Sequence, residues 1–391
     1  MKTDERRHSR VLAYARGLSA ACLRSKAVIA SLVAAQLLFL LPMVAGYPTG
    51  SIAVDREMCR TNAYLAKSNL LEYGREYPEE LLSLAKQEAQ YLFEALDAEY
   101  PSKEYFAAFG KAREIEVAEQ EAGYLTGGIE TKAGATLLKQ LSALDNPRVY
   151  ASAQELPALN YLALSAGVMP ALVLLLPGII AAYEALRRLH GGGLFATAPF
   201  SEPGRYSGAL LVTMLFALLS PLAVSLPACL IALVRNGLGD PAFPVVLIKN
   251  GTVATNTVLE IIGEDVALLA LSATATTLLM GLINRAGALF TLGVGLLATI
   301  LPLLPIYGAE TSPWHAVGSW LPTSYLQLGQ VVGYPTYANG LDIVTFQGAS
   351  FERGGAVLFM TIAALAAVQL IASALSAHAA AKCLGKEAPH D

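Results

Sequence analysis

Residues 27–46 read AVIASLVAAQLLFLLPMVAG, and residues 47–100 continue YPTGSIAVDREMCRTNAYLAKSNLLEYGREYPEELLSLAKQEAQYLFEALDAEY. The first run is uncharged, and its 20 residues are what a helix rising 1.5 Å per residue needs to cross about 30 Å of hydrocarbon. The second is dense in charge, and similar composition persists to Leu156, beyond which long apolar runs resume. A lone anchor, a hydrophilic unit and then a packed set of spans predict an all-α polytopic membrane protein with a helical extracytoplasmic domain between its first and second spans.

Composition agrees. The chain has 391 residues, 54% hydrophobic and 15% charged, with mean hydropathy +0.49, which is too apolar for a water-soluble chain of this length. A net charge of −4 leaves no basic stripe for nucleic acid. Cys22, Cys59, Cys229 and Cys383 are scattered, without metal-ligand spacing. No cofactor is expected.

Six spans are predicted: Ala27 to Gly46, Leu159 to Tyr183, Gly208 to Val234, Val266 to Ile283 (the shortest), Ala286 to Tyr307 and Gly354 to His378. Orientation follows from Lys and Arg near span ends. Lys2, Arg6, Arg7, Arg10, Arg16, Arg24 and Lys26 precede the first span. Placing them in the cytoplasm also puts Arg187, Arg188, Arg205, Arg285, Lys382 and Lys386 inside, so both termini are expected in the cytoplasm of a cell-membrane protein. The resulting layout is a cytoplasmic tail 1–26, a span 27–46, an extracytoplasmic domain 47–156, spans two to six over 157–383 with a cytoplasmic loop 184–207 and an external re-entrant segment 308–353, and a tail 384–391. Small residues near Gly46 also fit a cleaved leader, but the basic stretch before so long an apolar run exceeds leader proportions. Val11, Leu12, Ala15, Leu18, Cys22 and Leu23 recur at helical spacing against Arg10, Arg16 and Arg24, which predicts an interfacial helix along the inner leaflet.

Within the domain, Pro78 and Pro101 stand where helices begin, ahead of Glu79, Glu80 and Glu104. Glu114, Glu116, Glu119 and Glu121 read as a solvated helix face, and Glu260, Glu264 and Asp265 as a solvated cluster at the outer end of span four. Ionisable residues are nearly absent from the spans, which favours a motor outside the membrane over ion coupling.

The stretch 184–200 reads EALRRLHGGGLFATAPF: an acid, a basic pair, a glycine break and a turn closing at Pro199-Phe200. Here the chain resembles the ABC type-2 permeases, the membrane halves of ATP-driven exporters, in which a Glu, a basic residue, a Gly and a Leu-to-Pro turn follow span two. The stretch Trp320-Leu321-Pro322-Thr323-Ser324-Tyr325 is similar to a Leu-Pro-x-x-Tyr segment that many members carry in an external re-entrant element. The triple glycine is longer than the family's pattern, and Arg205 stands where members carry Lys at the start of span three. The resemblance implies that Glu184, Arg187, Arg188, Pro199, Phe200 and Arg205 dock a separate cytoplasmic ATP-binding subunit, that Trp320, Pro322 and Tyr325 belong to the external segment, and that two permease chains pair as a homo- or heterodimer in the bilayer. The cargo implied is hydrophobic or amphipathic: a peptide, a lipid or a drug. No GxxxxGK[ST] phosphate loop occurs, so ATP hydrolysis is expected on the partner and not on this chain. The alternative reading is a membrane-anchored receptor or sensor whose external domain binds a ligand without transport.

Overall fold

A computed structural model of the chain describes residues 2–47, 49, 55–125, 128–189, 194–198, 202–249, 251–301, 315–332, 337–338, 342–343 and 348–384. The elements in chain order are α1 (Lys2–Leu23), α2 (Lys26–Ala45), α3 (Arg56–Tyr73), α4 (Glu79–Asp97), α5 (Lys103–Glu121), α6 (Ile129–Ala143), α7 (Ala158–Val168), α8 (Ala171–Arg187), α9 (Glu202–Asn236), β1 (Pro244–Lys249), β2 (Thr252–Thr257), α10 (Val258–Ile283), α11 (Ala288–Ile300), α12 (His315–Gly318), α13 (Leu328–Val332), β3 (Tyr337–Ala338), β4 (Asp342–Ile343) and α14 (Phe351–Leu384).

Four helices are long and apolar enough to cross a membrane: α2, Gly204–Asn236 of α9, α10, and Phe351–Leu375 of α14. The expected second span is not continuous. It is the pair α7 and α8, bent by 84°, because Pro170 has no N–H to donate and drives Met169 out of helical geometry to φ −80, ψ 141. The pair counts as a fifth span if taken as one. The predicted span from Ala286 to Tyr307 is represented by the 13 residues of α11, and residues 302–307 lie outside the described ones. The fourth predicted span is longer than its apolar core, since α10 starts eight residues earlier. Thr257 accepts from the Glu260 N–H and the Glu260 carboxylate accepts from the Thr257 N–H, a reciprocal cap that starts the helix there.

The bundle core unites these helices. Phe39 and Met43 of α2, Tyr161 of α7, Ile179 of α8, Val224 of α9, Leu268 and Met280 of α10 and Leu358 of α14 share one buried cluster with Tyr325 and Val331. The Tyr161 hydroxyl donates to the Phe39 carbonyl at 2.6 Å, tying α7 to α2. Where α8 crosses α9, a Cβ on Gly178 would lie 2.8 Å from Ala217 Cα, the close approach that small residues permit in membrane bundles. There Ser220 Oγ donates to the Leu174 carbonyl at 2.7 Å and accepts from the Gly178 N–H at 3.1 Å. The outward faces of α9 and α14 present large aliphatics, among them Leu222 (62% exposed) and Leu370 (73%), as helices solvated by lipid do.

Helices α3 to α6 form a separate unit around Cys59, Leu92, Tyr105, Phe106, Phe109 and Leu138. Its starts are capped: Asp55 accepts from the Met58 N–H at 2.9 Å, and Ser102, the residue after Pro101, accepts from the Tyr105 N–H at 3.1 Å. Helix α4 begins at Glu79, directly after Pro78, as the sequence indicates.

The hairpin β1–β2 interrupts the all-α pattern. Lys249 pairs with Thr252 at the end of the hairpin, and Gly251 has φ +74. Val246 and Ile248 pack on Ala133 of α6, while Leu247 packs with Ala163 of α7 and Val332 of α13. Alternate residues thus face opposite ways, and the hairpin joins the four-helix unit to α7 and α13. At the same end, Asn236 closes α9 by donating to the Gln154 and Leu156 carbonyls at 2.8 and 2.9 Å.

Candidate functional site

The residues that the sequence singles out after span two lie at the other end of α9. Glu184 sits in the last turn of α8, where its neighbours on the same face are three and four residues on. It is 6% exposed. Arg187 Nη2 donates to both of its carboxylate oxygens, at 3.2 and 3.0 Å, and Arg188 Nη2 approaches to 3.5 Å. The Arg187 side chain is 53% exposed and rests over the Tyr183 ring at 5.8 Å. One buried carboxylate therefore orients two guanidinium groups, one of which points to solvent.

Helix α1 completes this site, which the sequence did not indicate. Tyr14, Ala15, Leu18 and Cys22 pack against Ala185 of α8 and Ala209 and Val212 of α9. A Cβ on Gly208 would lie 2.8 Å from Tyr14 Cδ1. The amphipathic stripe is therefore covered by protein and not only by lipid. Leu12 and Leu23 remain outward at 62% and 59% exposed, and Tyr14, not part of the expected stripe, supplies its largest side chain. The Tyr14 hydroxyl donates to the Phe195 carbonyl at 3.3 Å and the rings meet edge to face, anchoring the turn that contains Leu194 to Ala198. Pro199, Phe200 and the glycines 191–193 lie outside the described residues. Arg205 is half-buried and forms no ion pair among the described residues. Its charge acts on Tyr14, which puts it beside α1.

At the opposite end, the three residues of the predicted external segment separate. Tyr325 is fully buried, its hydroxyl donates to the Ser319 carbonyl at 2.6 Å, and Gly354 of α14 leaves room for its ring. It is an anchor within the core. Pro322 opens a 3-10 turn, Pro322–Leu326, which suits its missing N–H. Trp320 is 59% exposed, with the Arg353 guanidinium over its ring at 5.4 Å.

Two acidic groups read as solvated are only partly so. In the run on α5, Glu114 and Glu121 are exposed, but Glu119 is 3% exposed and lines a cavity of about 240 Å³ with Glu88, Arg113 and Glu116. Burial, then Glu119 and Glu116, push the Glu88 carboxyl up to about 8, against the pull of Arg113. Burial and Glu116 push Glu119 up to about 7. Both values exceed those of an unfolded chain, so the folded state holds these protons more tightly. Stability is therefore fullest below about pH 4.5 as far as these groups decide it, and falls as pH rises to about 8. Scanning calorimetry of the full chain should show the transition of this unit falling over that window, and the Glu88→Gln, Glu119→Gln double variant should flatten the fall. An equal slope in the double variant would place the pH dependence elsewhere. Among the three acids on α10, Glu260 serves the helix cap whereas Asp265 is 2% exposed.

No protein-family model, curated protein or solved structure matches the chain. Among the described residues, no group of three or more His, Cys, Asp or Glu side chains is placed to hold a metal ion.

Proposed function

We propose that the chain is the transmembrane permease subunit of an ATP-driven exporter of the ABC type-2 kind. In this reading it has six spans: α2, the bent pair α7–α8, α9, α10, α11 with the residues after it, and α14. The four-helix unit is external and both termini are cytoplasmic. A separate ATPase subunit docks on the knob made by the end of α8, the 184–207 loop and α1. Two permease chains, identical or similar, enclose the path, and the cargo is hydrophobic or amphipathic.

The observation that carries this reading is the Glu184–Arg187–Arg188 cluster, a pre-set pair of cations held by one buried acid at the end of the bundle away from the four-helix unit. Two groups of contacts support this reading. Helix α1, the end of α8 and Asn284, which donates to the Leu186 carbonyl at 3.4 Å, share one end. The hairpin and the four-helix unit share the other. The receptor reading would place function in the acid-lined cavity of the four-helix unit and predicts that the knob is dispensable.

Cysteine labelling tests the orientation on which both docking and export depend. Ser68 on α3 is exposed and Leu194 is 80% exposed. Cys59 is a poor reporter, being fully buried with a thiol that burial pushes up to about 11. In a chain whose Cys383 is replaced by Ser, an impermeant maleimide should modify Ser68→Cys on intact cells and Leu194→Cys only after permeabilisation. The reverse pattern would invert the protein and remove the docking loop from the cytoplasm.

A further inference from the structure

Between α7, α9 and α10 lies a cavity of about 320 Å³ whose wall is aliphatic apart from Asp265 and Ser225. Asp265 is 2% exposed, and neither carboxylate oxygen meets a hydrogen-bond partner among the described residues. The Ser225 hydroxyl is engaged with the Leu222 carbonyl at 3.3 Å. A buried carboxyl normally has a partner, because an unpaired one is costly in an apolar medium. Depth makes this one more costly: Asp265 is seven residues into α10, roughly 10 Å along the helix. Ionisable side chains at such depth are rare and tend to serve function.

We propose that this cavity binds a lipophilic monocation, a protonated amine on an apolar body, through Asp265. One carboxylate balances one positive charge, and ammonium N–H groups supply the donors that its two oxygens lack. Helix α9, which forms part of the wall, is interrupted by proline here. Pro221 lies inside α9 and has no N–H, so the carbonyl of Ala217, which also lines the cavity, loses its regular helix partner. A hard divalent cation needs about six oxygen ligands, more than this wall offers. The mouth is formed by Leu218, Leu222 and Val266, which are 43%, 62% and 56% exposed. These side chains lie on apolar outer faces of the bundle, so the ligand enters sideways from the bilayer and its body replaces lipid contacts. The inference deepens the exporter reading by naming its cargo class and rests on that reading for transport, though not for binding.

Binding of dansylcadaverine, a primary ammonium on an aromatic body, is measured by fluorescence with the purified full chain in nanodiscs, protein-free nanodiscs serving as the blank. The N-acetylated probe has the same body without the charge. Saturable binding of the amine, at least about tenfold tighter than that of the acetylated probe, is expected for the wild type. Asp265→Asn should remove that preference, and Leu222→Trp should weaken the amine by narrowing the mouth with the carboxyl intact. Equal affinity of the wild type for both probes overturns the proposal, as does an undiminished amine preference in Asp265→Asn. Should Asp265→Asn fail to fold, the wild-type comparison and Leu222→Trp still decide. No ATP or partner subunit enters the assay, so failure of the exporter reading leaves the binding result standing. Failure of binding leaves an exporter of uncharged cargo.

Discussion

Gly329→Val is expected to prevent stable assembly of the bundle. A Cβ at Gly329 would lie 2.2 Å from the Gly167 carbonyl oxygen, 2.9 Å from its carbon and 3.1 Å from its Cα. All three are backbone atoms, so no side chain can swing aside. Gly167 belongs to the last turn of α7, just before the 84° bend, and α13 is seated there. Forcing the two apart would lift Leu326, Leu328, Val331 and Val332 out of burial, at about 1.5–3 kcal/mol for each side chain fully exposed. The net loss should exceed about 4 kcal/mol, read as a collapse in the yield of monodisperse protein and a lower unfolding temperature. Gly355→Ala on α14 is the counterpart, because nothing lies within 4 Å of a Cβ there. It should be neutral or stabilise by about 0.5–1 kcal/mol. Equal stability of the two variants would show that α13 is not fixed on the bend.

The difference between these glycines is invisible in the sequence, and the same holds for much of what shapes the molecule. Long apolar runs and charged amphipathic runs are legible because burial and helical period dictate them over many residues. The capped starts at Asp55 and Ser102 are local and equally legible. The hairpin is less so: both of its faces are buried, so β1 reads Val245-Val246-Leu247-Ile248 without polar alternation. Its signal is the Asn250-Gly251 pair flanked by β-branched residues. Asp265 is concealed by company, since Glu260 and Glu264 beside it suggest a wet surface. The capping box Thr257-x-x-Glu260 is the corrective signal, for it starts α10 early enough to carry Asp265 below the surface. The packing of α1 on α8 and α9 depends on Tyr14 meeting Gly208, a tertiary contact that no periodicity encodes.

Replacement of Glu184 by Ala should have the second largest effect, on coupling and not on insertion. It removes the single acid that orients Arg187 and leaves Arg188, whose side chain is 26% exposed, half-buried without its partner. With that acid gone, both guanidinium groups lose the carboxylate that fixes them, and the docking contact should weaken at least tenfold. The four-helix unit lies away from this turn and should keep its unfolding transition. Glu184→Gln retains the shape and loses the charge, so it should fall between the wild type and Glu184→Ala in docking.

Whether this chain is driven by a separate ATPase is decided most directly by ATP hydrolysis of the protein purified from its native membranes, assayed with its co-purifying subunit and again after that subunit has been stripped away. Hydrolysis is expected from the wild-type complex, none from the stripped chain, and at least a tenfold lower rate from the complex recovered with Glu184→Ala. Robust hydrolysis by the stripped chain, or an undiminished rate with Glu184→Ala, would contradict that expectation.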